Sequence, residues 1–233
     1  MTDSYVALDV ETTGLDFKRD KIIEIGMVKV RSGETIDRFE SFVNPGRILE
    51  ARISELTGIQ DRQLEGAPDI GEILPDVMRF IGDDILIGHG ILFDYAFVKR
   101  AAVNRRLTFE KEGIDTLRLA KAFLPDLKSR GLGFLCEYYG IEHNAHRAFS
   151  DAKAASDLYQ KLAMLYYRGN EAAFEPVRLL YQAKRETPIT IPQKEQLYKL
   201  LDRHKLKVDY QVEKLTRNEA SRLIGRLLAE YGR

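Results

Sequence analysis

A single cysteine in 233 residues rules out an internal disulfide. That residue, Cys136, lies in an apolar helical stretch at 132–139, so it is expected to be a small buried core residue rather than a reactive thiol. Net charge is also missing, since 36 Lys and Arg balance 36 Asp and Glu. The sequence has no internal repeat, no low-complexity tract and no apolar run of membrane-spanning length. Its opening, Met1-Thr2-Asp3-Ser4, lacks the basic region and apolar run of an export signal. The expected setting is therefore cytoplasmic, with no membrane partner. What is present is ordinary: 44% apolar and 31% charged residues match a folded globular protein and exclude disorder. The length fits one large domain, or one ordinary domain with a small appendage.

The balance of charge hides a division. Residues 184–233 carry 12 basic against 7 acidic side chains, which leaves 24 against 29 for residues 1–183. A basic end suits phosphate or an acidic partner, although a mild surplus is also what a solvated surface shows.

Periodicity organises the chain. Residues 5–10, 21–30 and 35–43 read as three strands of an antiparallel meander, with Arg31-Ser32-Gly33-Glu34 and Asn44-Pro45-Gly46 as turns. A helix is expected at 70–81, a buried strand at 84–88, a helix at 92–104 and a brief strand at 113–115. Helices at 117–123, 132–139 and 149–167 follow. Strands first and strand–helix alternation later indicate an α/β layered domain. The expected division is a domain at 1–170, a linker at 171–190 marked by Pro188 and Pro192, and a small C-terminal helical unit at 191–233. In that unit Thr216 and Glu219 have the spacing of a capping box, and Leu197, Leu200, Leu201, Leu223, Ile224 and Leu227 keep helical spacing.

Against this frame stand four acids and a histidine: Asp9 and Glu11 in Leu8-Asp9-Val10-Glu11-Thr12-Thr13-Gly14-Leu15, Asp94 in His89-Gly90-Ile91-Leu92-Phe93-Asp94, and His146 and Asp151 in His146-Arg147-Ala148-Phe149-Ser150-Asp151. Asp9 and Glu11 lie two apart on a strand and so share a face. Taken singly, each has a plainer reading: a solvated strand end, an acid at a helix start, a surface histidine. As a set they fit the holding of hard divalent cations, because Mg²⁺ and Mn²⁺ prefer carboxylate and water oxygens.

The three segments resemble the three motifs of the DnaQ-like exonuclease family in its histidine-containing, DEDDh branch, and are similar to the PolC-type and DNA polymerase III proofreading exonucleases. Leu56-Thr57-Gly58-Ile59, Asp115-Thr116-Leu117 and Cys136-Glu137-Tyr138-Tyr139-Gly140-Ile141 match as well, and the similarity spans about residues 4–167. The resemblance implies an RNase H-like fold, a five-stranded mixed sheet flanked by helices. It also implies two Mg²⁺ or Mn²⁺ ions per site, with Asp9 bridging, Glu11 and Asp151 completing one position, Asp94 acting through water, and His146 as proton acceptor. An imidazole suits that role at neutral pH. The reaction implied is 3′→5′ hydrolysis of single-stranded or frayed DNA, releasing nucleoside 5′-monophosphates, in proofreading or repair and with a DNA polymerase subunit as partner. Substrate contacts are expected from Thr12, Thr13, Leu15, Phe93 and His89. DNA is favoured over RNA; the alternatives are an RNA-trimming enzyme and a polymerase-associated assembly module. One departure stands out: many family members carry asparagine where this chain has Gly90.

Overall fold

The computed structural model describes residues 1–208 and 210–232. Its frame is set by β1 (Tyr5–Thr12), β2 (Ile22–Arg31) and β3 (Glu34–Phe42), the expected antiparallel meander. β1 pairs with β2 from Tyr5↔Val30 through Asp9↔Gly26 to Glu11↔Glu24. After α1 (Ala51–Thr57), α2 (Asp61–Leu64) and α3 (Ile70–Ile81), strand β4 (Leu86–Gly88) lies parallel to β1. Helix α4 (Leu92–Asn104) crosses over to β5 (Glu112–Asp115), parallel to β4. Helices α5 (Thr116–Phe123), α6 (Leu132–Tyr139) and α7 (Ala148–Tyr166) follow. Cys136 is buried in α6, and burial pushes its thiol up to about 11, as suits a core residue.

Among the described residues the sheet has six strands, in the order β3-β2-β1-β4-β5-β6, and not the expected five. The added strand, β6 (Val177–Arg178), pairs antiparallel with β5 and is two residues long, too short to show a period-two pattern. It falls within 171–190, the segment expected to be a linker. There a 3-10 turn (Glu171–Phe174) buries Phe174 against Phe123 and Tyr167, and Leu179 is buried beside it in the chain. Farther on, Glu186 pairs with Arg100 of α4. At Phe174, Leu179 and Glu186 this stretch touches the main body, while most of its other side chains are exposed.

Strand alternation sends β1 side chains to two cores. Val6, Leu8 and Val10 meet the helices α3 and α4, whereas Tyr5 and Ala7 meet α5, α6 and α7. Asp9 and Glu11 continue the second face, beneath the start of α7. That helix approaches unusually closely, because Gly26, paired with Asp9, has no side chain: a Cβ there would stand 2.1 Å from the Phe149 nitrogen. Alanines at 148, 152, 154 and 155 keep the helix side of this contact small.

The C-terminal unit consists of α8 (Ile191–Arg203) and α9 (Arg217–Tyr231), joined over a core of Leu197, Leu200, Leu201, Val212 and Ile224. The Thr216–Glu219 capping box forms as expected, and Thr190–Gln193 makes a second. Pro188 bridges to Thr216, and Lys21 of the main body lies 3.4 Å from Glu219. Among the described residues no helix is long and apolar enough to cross a membrane.

Gly26→Ala is expected to cost about 3 kcal/mol through overpacking and to lower the melting midpoint by about 10 °C. Gly225→Ala, in α9 with open space around it, should leave stability equal or slightly higher. A Gly26→Ala protein as stable as its parent would show that α7 does not rest on β2 at this point.

Candidate active site

Parallel pairing between β1 and β4 stops at Ala7↔Ile87, so β1 runs on without a partner on that side. The amide of Val10 donates instead to the Asp94 carboxylate, at 3.0 Å, which fixes Asp94 against β1 between the two acids of that strand. Asp94 sits in the first turn of α4 and is 4% exposed. From the other side, α7 presents Asp151 in its first turn, also buried. The four acids of the sequence pattern therefore converge from β1, α4 and α7.

Their crowding appears in their acidities. Asp9 is held well above the usual carboxylate range, first by burial and then by the negative charges of Asp94, Asp151, Glu11 and Glu24. Glu11 is pushed up to about 7 by burial, Asp151 and Glu24, with Arg147 opposing. Asp94 is also raised well above its usual range, burial outweighing the hydrogen bond from Val10. A buried group of acids that resists ionising lacks positive charge, and a divalent cation supplies it. Glu11, His146 and Asp151 each bring one donor atom within 4.8 Å of the others, a spacing that fits a cation. The donor set of oxygens with one imidazole matches a hard ion.

His146 reaches the site on an unusual backbone. Its φ of +63° lies in the left-handed region, which costs a non-glycine residue about 1 kcal/mol. Its amide donates to Asp151 Oδ2 at 3.0 Å, so the turn that carries the imidazole is tied to the acid beside it. The side chain itself is exposed.

Two residues of the site were not singled out from the sequence. His143, in the same loop, has its Nε2 hydrogen-bonded to Asp151 Oδ1, so a second imidazole is set against the cluster. Glu24 on β2 is 1% exposed; it accepts from Arg147 Nη2 at 2.8 Å and from the Ala148 amide at 3.0 Å. It thereby clamps the first residues of α7 to the sheet, one turn before Asp151. A glutamate alone inside Ile22-Ile23-Glu24-Ile25 was the available signal, since a charge on a buried strand requires a partner.

The expected substrate contacts fall into four groups. Leu15 is 81% exposed beyond the end of β1. Thr12 and Thr13 are buried, and their hydroxyls hold the loop: Thr12 donates to Gly14 O at 2.7 Å, and Thr13 joins Asp20 and Arg47. Phe93 is half-buried in an aromatic group with Phe17 and Phe97 at centroid distances of 5.5 and 5.0 Å. His89 closes β4, its Nδ1 2.9 Å from the Thr116 hydroxyl, and burial holds its imidazole below the usual range. At Gly90 the backbone has φ +87° and its amide donates to Asp115 at 2.8 Å. The left-handed region is where glycine and asparagine substitute for one another, so the turn survives the loss of the side chain.

A family model described as "Exonuclease" matches residues 6–159. The chain is 44% identical over 164 residues to the DNA polymerase III PolC-type of Bacillus subtilis, covering 69% of this chain and 11% of that protein. It is 34% identical over 161 residues to the DNA polymerase III subunit epsilon of Aquifex aeolicus, covering 68% of this chain and 80% of that one. The chain thus spans about a tenth of the length of the PolC-type relatives. Among solved structures, Exonuclease X in complex with 5′-overhanging duplex DNA aligns with a TM-score of 0.59 at 20% identity over 73% of this chain and 97% of that one. Escherichia coli Exonuclease I in complex with a dT13 oligonucleotide aligns at 0.65 and 16% identity over 73% and 43%. At these identities the two share the fold, an RNase H-like one.

The weakened acidities carry a pH dependence. An acid whose pKa is higher folded than unfolded stabilises the fold while protonated. Glu11 gives its full contribution below about 4.5 and loses it as pH rises through about 7, with Asp9 and Asp94 adding in the same direction. In chelator the melting midpoint should fall between pH 5 and 8, Glu11 alone accounting for at most about 3 kcal/mol, and Mn²⁺ should restore most at the upper end. A midpoint unaffected by either variable would contradict the crowding.

Proposed function

We propose, from the premise that the chain belongs to the exonuclease family, that it is a 3′→5′ exonuclease releasing nucleoside 5′-monophosphates from single-stranded or frayed DNA ends. The observation that carries this reading is the convergence of Asp9, Glu11, Asp94 and Asp151 beside the His146 imidazole and the exposed Leu15. The four carboxylates would hold Mg²⁺ or Mn²⁺, two ions per site. When bound, such ions neutralise the acids and the scissile phosphate and align the oxygens on either side of phosphorus.

The remaining work falls to the chain. His146 takes the proton of the attacking water at a ring nitrogen; the water oxygen bonds to phosphorus, the bond to the 3′ oxygen of the penultimate nucleotide breaks, and solvent protonates that oxygen. The left-handed turn and the His146 amide bond to Asp151 keep the imidazole beside the acids it must serve. His143, also bonded to Asp151, positions that carboxylate. Leu15 wedges against the terminal base, and the backbone at Thr12 and Thr13, stiffened by Asp20 and Arg47, meets the terminal 3′-hydroxyl. Phe93 supports the wedge and His89 the strand end. Stacking on apolar groups accepts any base, as digestion from an end requires. Similarity to PolC-type and epsilon polymerase proteins supports a role in proofreading beside a polymerase partner.

Product analysis on end-labelled strands tests the reading. Nucleoside 5′-monophosphates should appear from 3′-hydroxyl DNA, faster than from matched RNA, and a 3′-phosphate should block their release. His146→Ala should slow turnover by about 10²–10⁴ with binding nearly unchanged. Cleavage of circular DNA, or full activity of His146→Ala, would overturn the assignment, and faster RNA digestion would transfer the substrate to RNA.

A further inference from the structure

A groove of about 1490 Å³ leaves the acidic cluster at Glu11 and Leu15 and runs between the main body and the C-terminal unit. It is larger than the roughly 300–1,000 Å³ of a small-molecule site. Its far wall is Lys214, Leu215 and one face of α9, in residues beyond the 6–159 matched by the family model.

The charges along this groove are unevenly satisfied. Beyond the cluster acid Glu11, the acids on the main body are engaged: Asp16 with Arg19, Asp20 with Arg47, Glu50 with Arg52 and Asp69 with Arg105. Glu186 holds Arg100, Glu72 caps its own helix, and Glu219 of α9 reaches Lys21. Among the described basic side chains of the lining, those without an ion pair are Lys214, Arg222 and Arg226, all exposed and all on the same wall.

Their placement on α9 is regular. Glu219, Arg222 and Arg226 share one helix face, while Ala220 and Ile224 are buried on another. Glu219 ties the first turn to Lys21, in the segment following Leu15, and the two arginines carry the face onward over about 10 Å of helix. Arginines four apart repel and destabilise a helix unless an anion lies between them. The opposite wall offers the exposed Leu15 and the half-buried Phe93. Unpaired cations facing apolar and aromatic groups are the means by which proteins hold a single strand without reading its sequence.

We infer that the C-terminal unit is a strand-holding wall: Lys214, Arg222 and Arg226 bind the phosphates of single-stranded nucleic acid upstream of the end seated at Asp9 and Glu11. The inference rests on the nuclease reading for the position of that end. The groove makes affinity grow with strand length, and it makes that growth depend on salt.

The test uses the full chain carrying Lys214→Ala, Arg222→Ala and Arg226→Ala together. A control, Lys199→Ala with Arg203→Ala, removes exposed charge from α8 outside the groove. Far-UV circular dichroism checks folding, and Arg222→Lys with Arg226→Lys keeps the charge should the alanines disturb the helix. Binding of oligothymidylates, a trinucleotide and a strand of about twenty nucleotides, is measured by fluorescence anisotropy without divalent metal; hydrolysis of both is then measured with Mg²⁺. The triple variant should bind the long strand about tenfold or more weakly, with a salt slope shallower by about 2. Trinucleotide hydrolysis should stay within about twofold, and the control and lysine variants should behave like the parent. Unchanged long-strand affinity would overturn the inference and leave the face to an acidic protein, and an equal loss in the control would reduce it to bulk charge. Absence of hydrolysis by every protein would defeat the nuclease reading alone, because the binding comparison still decides the groove.

Discussion

Two carboxylates 4 Å apart repel by about 4 kcal/mol at an effective dielectric of 20, and this protein brings four of them to one end of its sheet. Nothing in that arrangement is favourable by itself, so the surrounding structure has to impose it. Asp94 is held by the Val10 amide, which is free because β4 stops pairing with β1 before reaching it. Asp151 is held by the docking of α7, which needs a bare Gly26 beneath it and Glu24 clamped to Arg147 and the Ala148 amide. Asp9 and Glu11 are fixed by the strand they belong to. The energy placed in the cluster is what makes it ready to take up positive charge, and the resistance of Asp9, Glu11 and Asp94 to ionising is its signature.

The same local rules explain what could be read in advance. Asp9 and Glu11 share a face because strands alternate; the apolar run at 5–10 and the alternation at 21–30 and 35–43 were enough to place β1, β2 and β3. The helices at 70–81, 92–104 and 132–139 announce themselves through apolar periodicity and end where expected. That Asp94 and Asp151 would meet them came from the resemblance of the motifs, since spacing does not encode contacts across 84 or more residues. β6 was illegible because two residues carry no period. Glu24 was visible as a charge in an apolar strand, but its partner Arg147 lies 123 residues away. His143 and His146 occupy one loop, and only folding sets the ring of His143 on Asp151.

The C-terminal unit follows a different logic. Its small core closes on Leu197, Leu201 and Ile224, and two capping boxes start its helices, so its local structure is largely self-specified. Pro188 pairs with Thr216 where the chain enters the unit, and the Lys21–Glu219 ion pair ties α9 to the main body. Three cations of the basic segment, Lys214, Arg222 and Arg226, line the groove, while the cluster draws its acids from the acidic remainder. Neutral net charge in this chain is the sum of an acidic surplus in residues 1–183 and a basic surplus in residues 184–233.

The electrostatic condition of the cluster can be measured without any substrate. Titration calorimetry of Mn²⁺ into the metal-free protein near pH 7, repeated in buffers of different ionisation enthalpy, counts the protons released on binding. Saturable binding with proton release, lost in Asp9→Asn, is the expected result, because carboxyl groups that resist ionising must give up their protons to hold the ion. No binding, or binding that releases no protons, would contradict a crowded carboxylate site at the end of β1.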